Sequence, residues 1–166
     1  KEQDLKIVER AKEIGKAIIV VINKTDLLKR EELNELKKNI SNEPALYGLP
    51  CCFISAMENK GFRSLFDQIY RVLKNADTNI STNKLNNILS QAKEAKSIPY
   101  KGKFKPKIRY IHQGGKNPHI LTLHGNSLEK LEGSYQRFLT NFFHKKLNLS
   151  GITIKLKFIN SKNPYN

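Results

Sequence analysis

The sequence predicts an α/β domain followed by an α+β domain. In the first half, two short apolar runs at 17–22 (AIIVVI) and 51–54 (CCFI) alternate with amphipathic helices, an order typical of a parallel sheet with right-handed crossovers. The second half has the order helix, strand, strand, helix, strand (α-β-β-α-β), which favours helices on one face of a small sheet. A polar stretch without periodicity at 74–82 separates the halves, so we place the domains at 1–76 and 77–166.

Apolar residues at helical spacing mark three helices in the first half. Each run repeats every three or four residues, the period of one helix face. The strand at 17–22 is apolar on both faces, so we expect it in the middle of a covered parallel sheet. The helical runs are Leu5, Val8, Ala11 and Ile14; Leu33, Leu36 and Ile40; and Phe62, Leu65, Phe66, Ile69 and Leu73.

The second half begins with a helix and a pair of strands. Apolar residues at 85–92 have helical spacing, and Ser81 or Thr82 can cap that helix at its start. Strands at 108–113 and 119–124 flank the sequence GGKNP, which consists of residues that favour turns or loops.

A long helix and a final strand complete the second half. Apolar residues recur at helical spacing from Leu128 to Leu147 and predict one continuous helix. From Gly151 to Phe158, apolar residues alternate with Thr153, Lys155 and Lys157. This alternation predicts a strand with one buried face and one wet, basic face.

Composition excludes several classes of protein. The apolar runs are too short to span a bilayer, and the first ten residues (KEQDLKIVER) contain no apolar core of a signal peptide. The two cysteines, Cys51 and Cys52, are adjacent and cannot staple a small secreted scaffold. We therefore expect a reduced, cytoplasmic environment and no membrane partner.

Positive charge is concentrated in the second half. The 166 residues carry 30 Lys+Arg and 15 Asp+Glu, a net charge of +15. Residues 1–76 hold 14 basic and 11 acidic residues, whereas residues 77–166 hold 16 basic and 4 acidic. This imbalance favours an anionic partner, above all nucleic acid. The alternative is that the positive charge only keeps the protein soluble, or reflects a genome biased towards Lys and Asn.

Polar residues follow the first predicted strand directly, in the sequence NKTD. Ligands of open α/β sheets bind at the carboxyl ends of strands, and these side chains suit a guanine base. The carboxylate of Asp26 can accept hydrogen bonds from the ring N–H and the exocyclic amino group, whereas adenine lacks that pair of donors. The Lys24 stem can lie against the base, and Asn23 can tie the loop together and reach the base edge.

A second polar element follows the next strand, at Ser55 and Ala56. The Ala56 N–H can donate to the guanine carbonyl oxygen, and Ser55 can brace the loop. Asn and Asp commonly form turns and caps after strands, which is the alternative for NKTD alone. Two elements at neighbouring strand ends, in the right order, favour guanine binding over turn formation.

These motifs resemble the base-recognition motifs of the GTPase superfamily, and the second half narrows the resemblance. The segments TNKLNNIL, KIRYIHQ, NPHILTLHGN, SYQRFLTNFFHKKL and KNP are similar to the C-terminal domain of the bacterial Der (EngA) family. Members of that family have two G domains in tandem, followed by a KH-like domain. The resemblance implies the end of a second P-loop G domain, with its parallel sheet, followed by the KH-like domain.

The phosphate-binding motifs of such GTPases do not occur in the 166 residues. There is neither a GxxxxGK[ST] sequence nor a switch segment with DxxG, and phosphate and Mg²⁺ binding depend on those parts. We therefore expect a C-terminal fragment that neither hydrolyses GTP nor binds it tightly. The resemblance implies GTP or GDP as ligand of the complete protein, with Mg²⁺ in the missing part. It also implies the ribosome, with large-subunit RNA, and the other G domains as partners.

Basic residues in the second half are candidates for RNA contact. Five of them occur at every second position, so in an extended segment their side chains point to the same side. Binding of a polyanion would relieve the repulsion between them. The alternative is a solvated charged edge strand, which discourages aggregation. No GXXG loop is present, so single-strand reading by such a loop is not expected. The candidates are Lys101, Lys103, Lys105, Lys107, Arg109, Lys116, Lys155 and Lys157.

The remaining candidates have structural interpretations. The spacing of His112, His119, His124 and His144 matches no common metal-ligand pattern, and we expect His112 and His124 on sheet faces. Cys51 and Cys52 are expected to pack in a strand. Tyr135 and Arg137 match the SYxR pattern of the family, and we expect a core position for Tyr135 and a local cap or ion pair for Arg137.

Two alternatives to this interpretation remain open. The chain can instead be a stand-alone RNA-binding or protein-docking module without a nucleotide function. It can also be an unrelated α/β protein with chance motifs. The dependence of affinity on ionic strength distinguishes RNA binding from protein docking. Binding that rests on phosphate neutralisation weakens steeply as salt increases, whereas docking on an apolar protein face does not.

Overall fold

A computed structural model of the chain describes residues 2–100, 105–116 and 118–160, which divide into two compact units. Within the described residues, the first unit comprises 2–77 together with Leu149–Thr153. The second unit comprises Thr78–Asn148 and the residues from Ile154 onward.

The first unit is an α/β arrangement around a small parallel sheet. Strand β1 (Val20–Ile22) pairs in parallel with β2 (Cys51–Phe53), in a register that sets Val20 beside Cys51 and Ile22 beside Phe53. This arrangement confirms the α/β class predicted for the first half. Its helices are α1 (Glu2–Ile14), α2 (Arg30–Ser41) and α3 (Phe62–Ala76).

Strand β1 differs from the covered central strand that its sequence predicts. Among the described residues it pairs only with β2, and Val21 keeps 43% of its surface exposed. Three-residue strands are short, so the apolar pattern of 17–22 overestimates the length of the strand. Apolar side chains on the outside of α3, including Phe66, Tyr70 and Leu73, are also exposed.

The segment Leu149–Thr153 is held in the first unit by backbone hydrogen bonds. The Gly151 N–H donates to Gly48 O at 2.9 Å, and Gly151 O accepts from the Ile18 N–H at 2.9 Å. Gly151 has φ +79°, and a Cβ there would lie 2.5 Å from Val72 Cγ2. The last strand therefore begins at Ile154 instead of Gly151.

The second unit has the predicted α+β class. Strand β3 (Lys107–Gly115) pairs antiparallel with β4 (His119–Asn126), which pairs in parallel with β5 (Ile154–Asn160). Helix α4 (Thr82–Ala95) packs on β3, and α5 (Gly133–Leu147) packs on β5 and α4. The core between helices and sheet contains Leu85, Ile88, Leu89, Ile108, Ile111, Leu121, Leu123, Tyr135, Leu139 and Phe143.

The long helix predicted from Leu128 begins later in the structure. Leu128–Lys130 forms a separate 3₁₀ turn after Ser127, which has φ +57°. The Leu128 N–H donates to Asn160 Oδ1 at 2.8 Å, and extended backbone at Leu131 and Glu132 separates the turn from α5. Apolar spacing detects Leu128 and Leu131 as core residues but not this break, because both are buried.

Amide side chains bind the backbone around β3. Asn86 Nδ2 donates to Ile111 O at 2.9 Å, and Asn86 Oδ1 accepts from the Ile111 N–H at 3.1 Å. Gln113 Oε1 accepts from the Ile80 N–H at 2.8 Å. Because β3 is an edge strand of its sheet, Asn86 satisfies backbone groups that would otherwise be open to strand pairing.

Replacing Asn86 with Ala is expected to destabilise the second unit. The substitution leaves the N–H and C=O of Ile111 without their partner, at a cost of about 1–3 kcal/mol. Urea unfolding followed by circular dichroism measures the loss. Asn87→Ala is the matched control, since residue 87 is exposed on the same helix. Equal stability of the two variants would contradict the assigned role of Asn86.

Hydrogen exchange is expected to be faster in the first unit than in the second. The first unit buries few large apolar side chains among the described residues, with Leu46, Ile54 and Val72 as examples, whereas the second has a continuous core. Local opening is easier where few apolar contacts are buried. Native-state exchange with mass spectrometry checks this, and equal protection of β2 and β4 in a monomer would contradict it.

Candidate nucleotide and nucleic-acid sites

The two polar elements lie at the same edge of the first sheet. Asn23 follows β1 directly, and Ser55 follows β2 after Ile54. Parallel pairing continues beyond the strands, because the Ile54 N–H donates to Ile22 O at 2.8 Å and the Thr25 N–H donates to Ile54 O at 3.1 Å. The two loops therefore leave the sheet side by side.

Asn23 joins the two loops through its side chain. Asn23 Oδ1 accepts from the Lys24 N–H at 2.7 Å and from the Ala56 N–H at 3.1 Å. Lys24 has left-handed backbone with φ +63°, which Asn23 supports by capping its N–H. The Ala56 N–H, expected to donate to a base, donates to Asn23 in this structure.

Ser55 connects the second loop to Asp26. Its hydroxyl donates to Asp26 Oδ1 and accepts from the Glu58 N–H at 3.1 Å. Ser55 is 1% exposed, whereas Asp26 is exposed. A buried hydroxyl thus fixes one oxygen of an accessible carboxylate, and a positioned carboxylate discriminates between donor patterns.

Sequence reasoning missed three residues that shape this site. Thr25 donates to Ile54 O through its hydroxyl at 2.9 Å, and Lys60 pairs with Ser55 in an antiparallel bridge. Gly61 has φ +84°, and a Cβ there would lie 2.3 Å from Phe53 O. Thr25 stands within NKTD, but its hydroxyl bond depends on a partner 29 positions away; the signal for Gly61, a glycine directly before a helix, is too common to be informative alone.

Lys60 carries positive charge close to the carboxylates. Its ammonium lies 2.7 Å from Glu58. The hydrogen bond and the charge of Glu58 raise the pKa of Lys60, with a smaller contribution from the charge of Asp26. Lys60 and Glu58 are both exposed, so this pair contributes little to stability.

The predicted basic residues are distributed over the second unit. Lys101 and Lys103 lie outside the described residues. Lys105 is exposed and its Nζ lies 4.9 Å from the centre of the Tyr100 ring, and Lys116 is half-buried in the loop after β3. The sheet carries the other four, with Lys107 and Arg109 exposed on β3 and Lys155 and Lys157 on β5.

The alternation predicted for this basic run holds at its described end on β3 and stops at Arg109. Lys107 and Arg109 flank the buried Ile108, as alternation requires. A register shift between Ile108 and Tyr110 then leaves both Arg109 and Tyr110 exposed. A β-bulge of this kind changes the direction of successive side chains.

The other candidate residues form no reactive or metal-binding cluster within the described residues. Tyr135 is fully buried, Arg137 is exposed, and Cys51 and Cys52 lie in β2. Burial raises the pKa of both thiols, which disfavours the reactive thiolate. His112 and His124 lie on the sheet of the second unit, and no group of three or more His, Cys, Asp or Glu within the described residues is arranged to hold a metal.

No helix within the described ranges is long and apolar enough to cross a membrane.

Comparison with known proteins identifies both halves of the chain. The family described as "KH-domain-like of EngA bacterial GTPase enzymes, C-terminal" matches residues 79–158, and the "Elongation factor Tu GTP binding domain" matches residues 1–75.

Curated relatives match almost the whole chain. GTPase Der of Neisseria meningitidis (serogroup C) is 38% identical over 99% of this chain, which covers 34% of that protein. GTPase Der of Thiobacillus denitrificans is 38% identical over 99% of the chain, covering 36% of that protein, and that of Chromobacterium violaceum is 34% identical with 35% covered. The chain thus spans about a third of the length of these relatives, and it belongs to the Der (EngA) family of GTPases.

Proposed function

We propose that the first unit recognises the guanine base of GTP or GDP. The observation that carries this proposal is the joining of two strand-end loops by Asn23–Ala56 and Ser55–Asp26 hydrogen bonds. Asp26 would accept the ring N–H and exocyclic amino group of guanine, while Lys24 lies along the face of the base and Asn23 reaches its edge. Ser55 would hold the carboxylate in place.

Donation from Ala56 to guanine involves competition within the site. Its N–H donates to Asn23 Oδ1 at 3.1 Å, so donation to the carbonyl oxygen of a base would share or replace that bond. Adenine presents an amino group where guanine has its carbonyl oxygen, so that donor would meet the Ala56 N–H, also a donor. Its unprotonated ring nitrogen, an acceptor, would meet the carboxylate of Asp26, also an acceptor. Both mismatches leave polar groups without partners and favour guanine.

In the complete protein, we propose that GTP hydrolysis uses parts outside these 166 residues. GTP and GDP are held largely through phosphates and Mg²⁺ in this superfamily, and the phosphate-binding and switch motifs are not in the sequence. The chain alone would therefore contribute base selectivity with low affinity and no catalytic residue.

For the second unit, we propose contact with ribosomal RNA during assembly of the large ribosomal subunit in the cytoplasm. Lys107, Arg109 and Lys157 are exposed on its sheet, and the half that contains them carries most of the positive charge of the chain. Phosphate neutralisation by such residues is the main source of nucleic-acid affinity. In the complete protein, nucleotide state would rearrange the G domains around this unit.

Nucleotide binding by the isolated chain is expected to be weak but selective for guanine. Calorimetry with GTP or GDP is expected to show no micromolar binding, because phosphate contacts are missing. Saturation-transfer NMR at millimolar nucleotide is expected to show transfer to GMP and not to AMP. Asp26→Ala is expected to abolish the GMP signal.

Asp67→Ala is the matched control for that measurement, since Asp67 is an exposed carboxylate on α3. An unchanged GMP signal in Asp26→Ala, or equal signals for GMP and AMP, would contradict guanine recognition. Micromolar binding of GTP would contradict the expected low affinity.

RNA binding by the second unit is expected to depend strongly on salt. The double variant Lys107→Gln/Lys157→Gln removes two exposed cations of one sheet and is expected to reduce the slope of log K against log salt by about 1.4. Fluorescence anisotropy with a labelled single-stranded RNA measures this slope.

Lys16→Gln/Lys38→Gln is the matched control, since both lysines are exposed in the first unit. The same reduction in the control would indicate non-specific attraction to net charge. A wild-type affinity independent of salt would rule out phosphate contact.

A further inference from the structure

The three strands of the second unit form a sheet without acidic residues. Strands β3, β4 and β5 carry four cations and no Asp or Glu. Repulsion between the cations is therefore not relieved by carboxylates of the sheet itself. A polyanion laid across this sheet would meet cations and no carboxylate from the three strands. The cations are Lys107, Arg109, Lys155 and Lys157.

Three ring side chains, Tyr110, His112 and His124, lie together on this sheet and are called here the ring cluster. The rings of Tyr110 and His124 are parallel, with 4.5 Å between their centres and an interplanar angle of 0°. The His112 ring is 5.1 Å from that of His124 at 25°. This geometry is that of stacking, so the cluster is a rigid set of aligned flat surfaces.

The ring cluster lies on the face opposite the helices. Tyr110 is directly opposite His124 in the register, and on the neighbouring row His112, Thr122 and Lys157 lie side by side. Residues at alternate positions, Ile111 and Leu123, are fully buried in the core. Side chains of successive strand residues point to opposite faces, so the cluster and Lys157 share the outer face.

The bulge on β3 places a cation next to the accessible ring. Arg109 and Tyr110 are both exposed at the register shift. Tyr110 keeps 45% of its surface exposed although one ring face is stacked on His124. The remaining ring surface is therefore available to a base. Arg109 directly precedes Tyr110 in the sequence, and Lys107 lies three positions before it.

We propose that the ring cluster stacks an unpaired base of single-stranded RNA on Tyr110, while Arg109, Lys107 and Lys157 neutralise the neighbouring phosphates. An aromatic platform flanked by cations is the arrangement by which proteins bind single strands without a sequence code. Base faces are covered in a duplex and open in a single strand, so the platform selects unpaired RNA. This proposal rests on the proposed RNA contact and identifies the RNA form that the second unit binds.

The test compares the wild-type chain with Tyr110→Ala and Tyr110→Phe. Anisotropy with a labelled 12-nucleotide single-stranded RNA is expected to show a Kd raised about 5- to 150-fold in Tyr110→Ala. Tyr110→Phe keeps the ring and is expected to bind within about twofold of wild type. Tyr70→Ala is the control for loss of an exposed tyrosine elsewhere, since Tyr70 is 71% exposed on α3.

Two further readouts distinguish stacking from a structural effect. An RNA carrying 2-aminopurine is expected to lose fluorescence on binding to wild type and to keep it with Tyr110→Ala. The salt slope of Tyr110→Ala is expected to equal that of wild type, because no phosphate contact is removed. Thermal unfolding verifies that the variant is folded.

The outcomes separate this proposal from the one on which it rests. If wild type binds the single strand and Tyr110→Ala binds equally well, stacking is wrong and the charge contact stands. Equal losses in Tyr110→Phe and Tyr110→Ala, or tighter binding to a duplex of the same sequence, also overturn stacking. If wild type binds no RNA at low salt, both proposals are wrong. In that case, loss of binding to a G-domain partner in Tyr110→Ala would assign the outer face of this sheet to protein docking.

Discussion

Parallel pairing of β1 with β2 controls the geometry of the proposed nucleotide site. The register that sets Ile22 beside Phe53 also places the residues after each strand side by side. A shift by one residue would turn side chains to the opposite face of the sheet, and Asn23 would no longer meet Ala56. The pairing involves only three residues per strand, so the bonds of Thr25 to Ile54 O extend the alignment into the loops.

In the second unit, polar side chains perform the comparable task of fixing the sheet. Gln113 uses both ends of its amide, accepting from Ile80 and contacting His119 Nδ1 at 2.8 Å. Asn86 binds both backbone groups of Ile111. Apolar packing alone tolerates sliding of a helix over a sheet, whereas a hydrogen bond tolerates little displacement. These amides therefore fix the position of α4 against the edge strand that carries Arg109 and Tyr110.

Much of this architecture could be predicted from the sequence, because it depends on patterns local to the chain. Helical spacing identifies the helices, and the polar residues after each strand place Asn23 and Ser55 at neighbouring strand ends. The start of α5 at Gly133 could not be predicted, because Leu128 in the 3₁₀ turn and Leu131 in the extended backbone after it are both buried at the spacing of a helix. The alternating pattern predicts that the last strand starts at Gly151, whereas the backbone of Gly151 bonds with Gly48 and Ile18, partners distant in sequence that no local pattern reveals.

The two proposed sites use charge in opposite ways. At the proposed nucleotide site, selectivity requires one carboxylate in a fixed position, and the buried Ser55 hydroxyl holds the exposed carboxylate of Asp26. The outer face of the second sheet excludes carboxylates, and its cations are held on stiff strands next to flat rings. A fixed carboxylate selects one pattern of hydrogen-bond donors. The ring cluster would stack any base, and the cations beside it would bind the backbone phosphates whatever the sequence. The bulge at Arg109 brings phosphate binding and base stacking together, because it exposes a cation and an aromatic ring on consecutive residues of one strand.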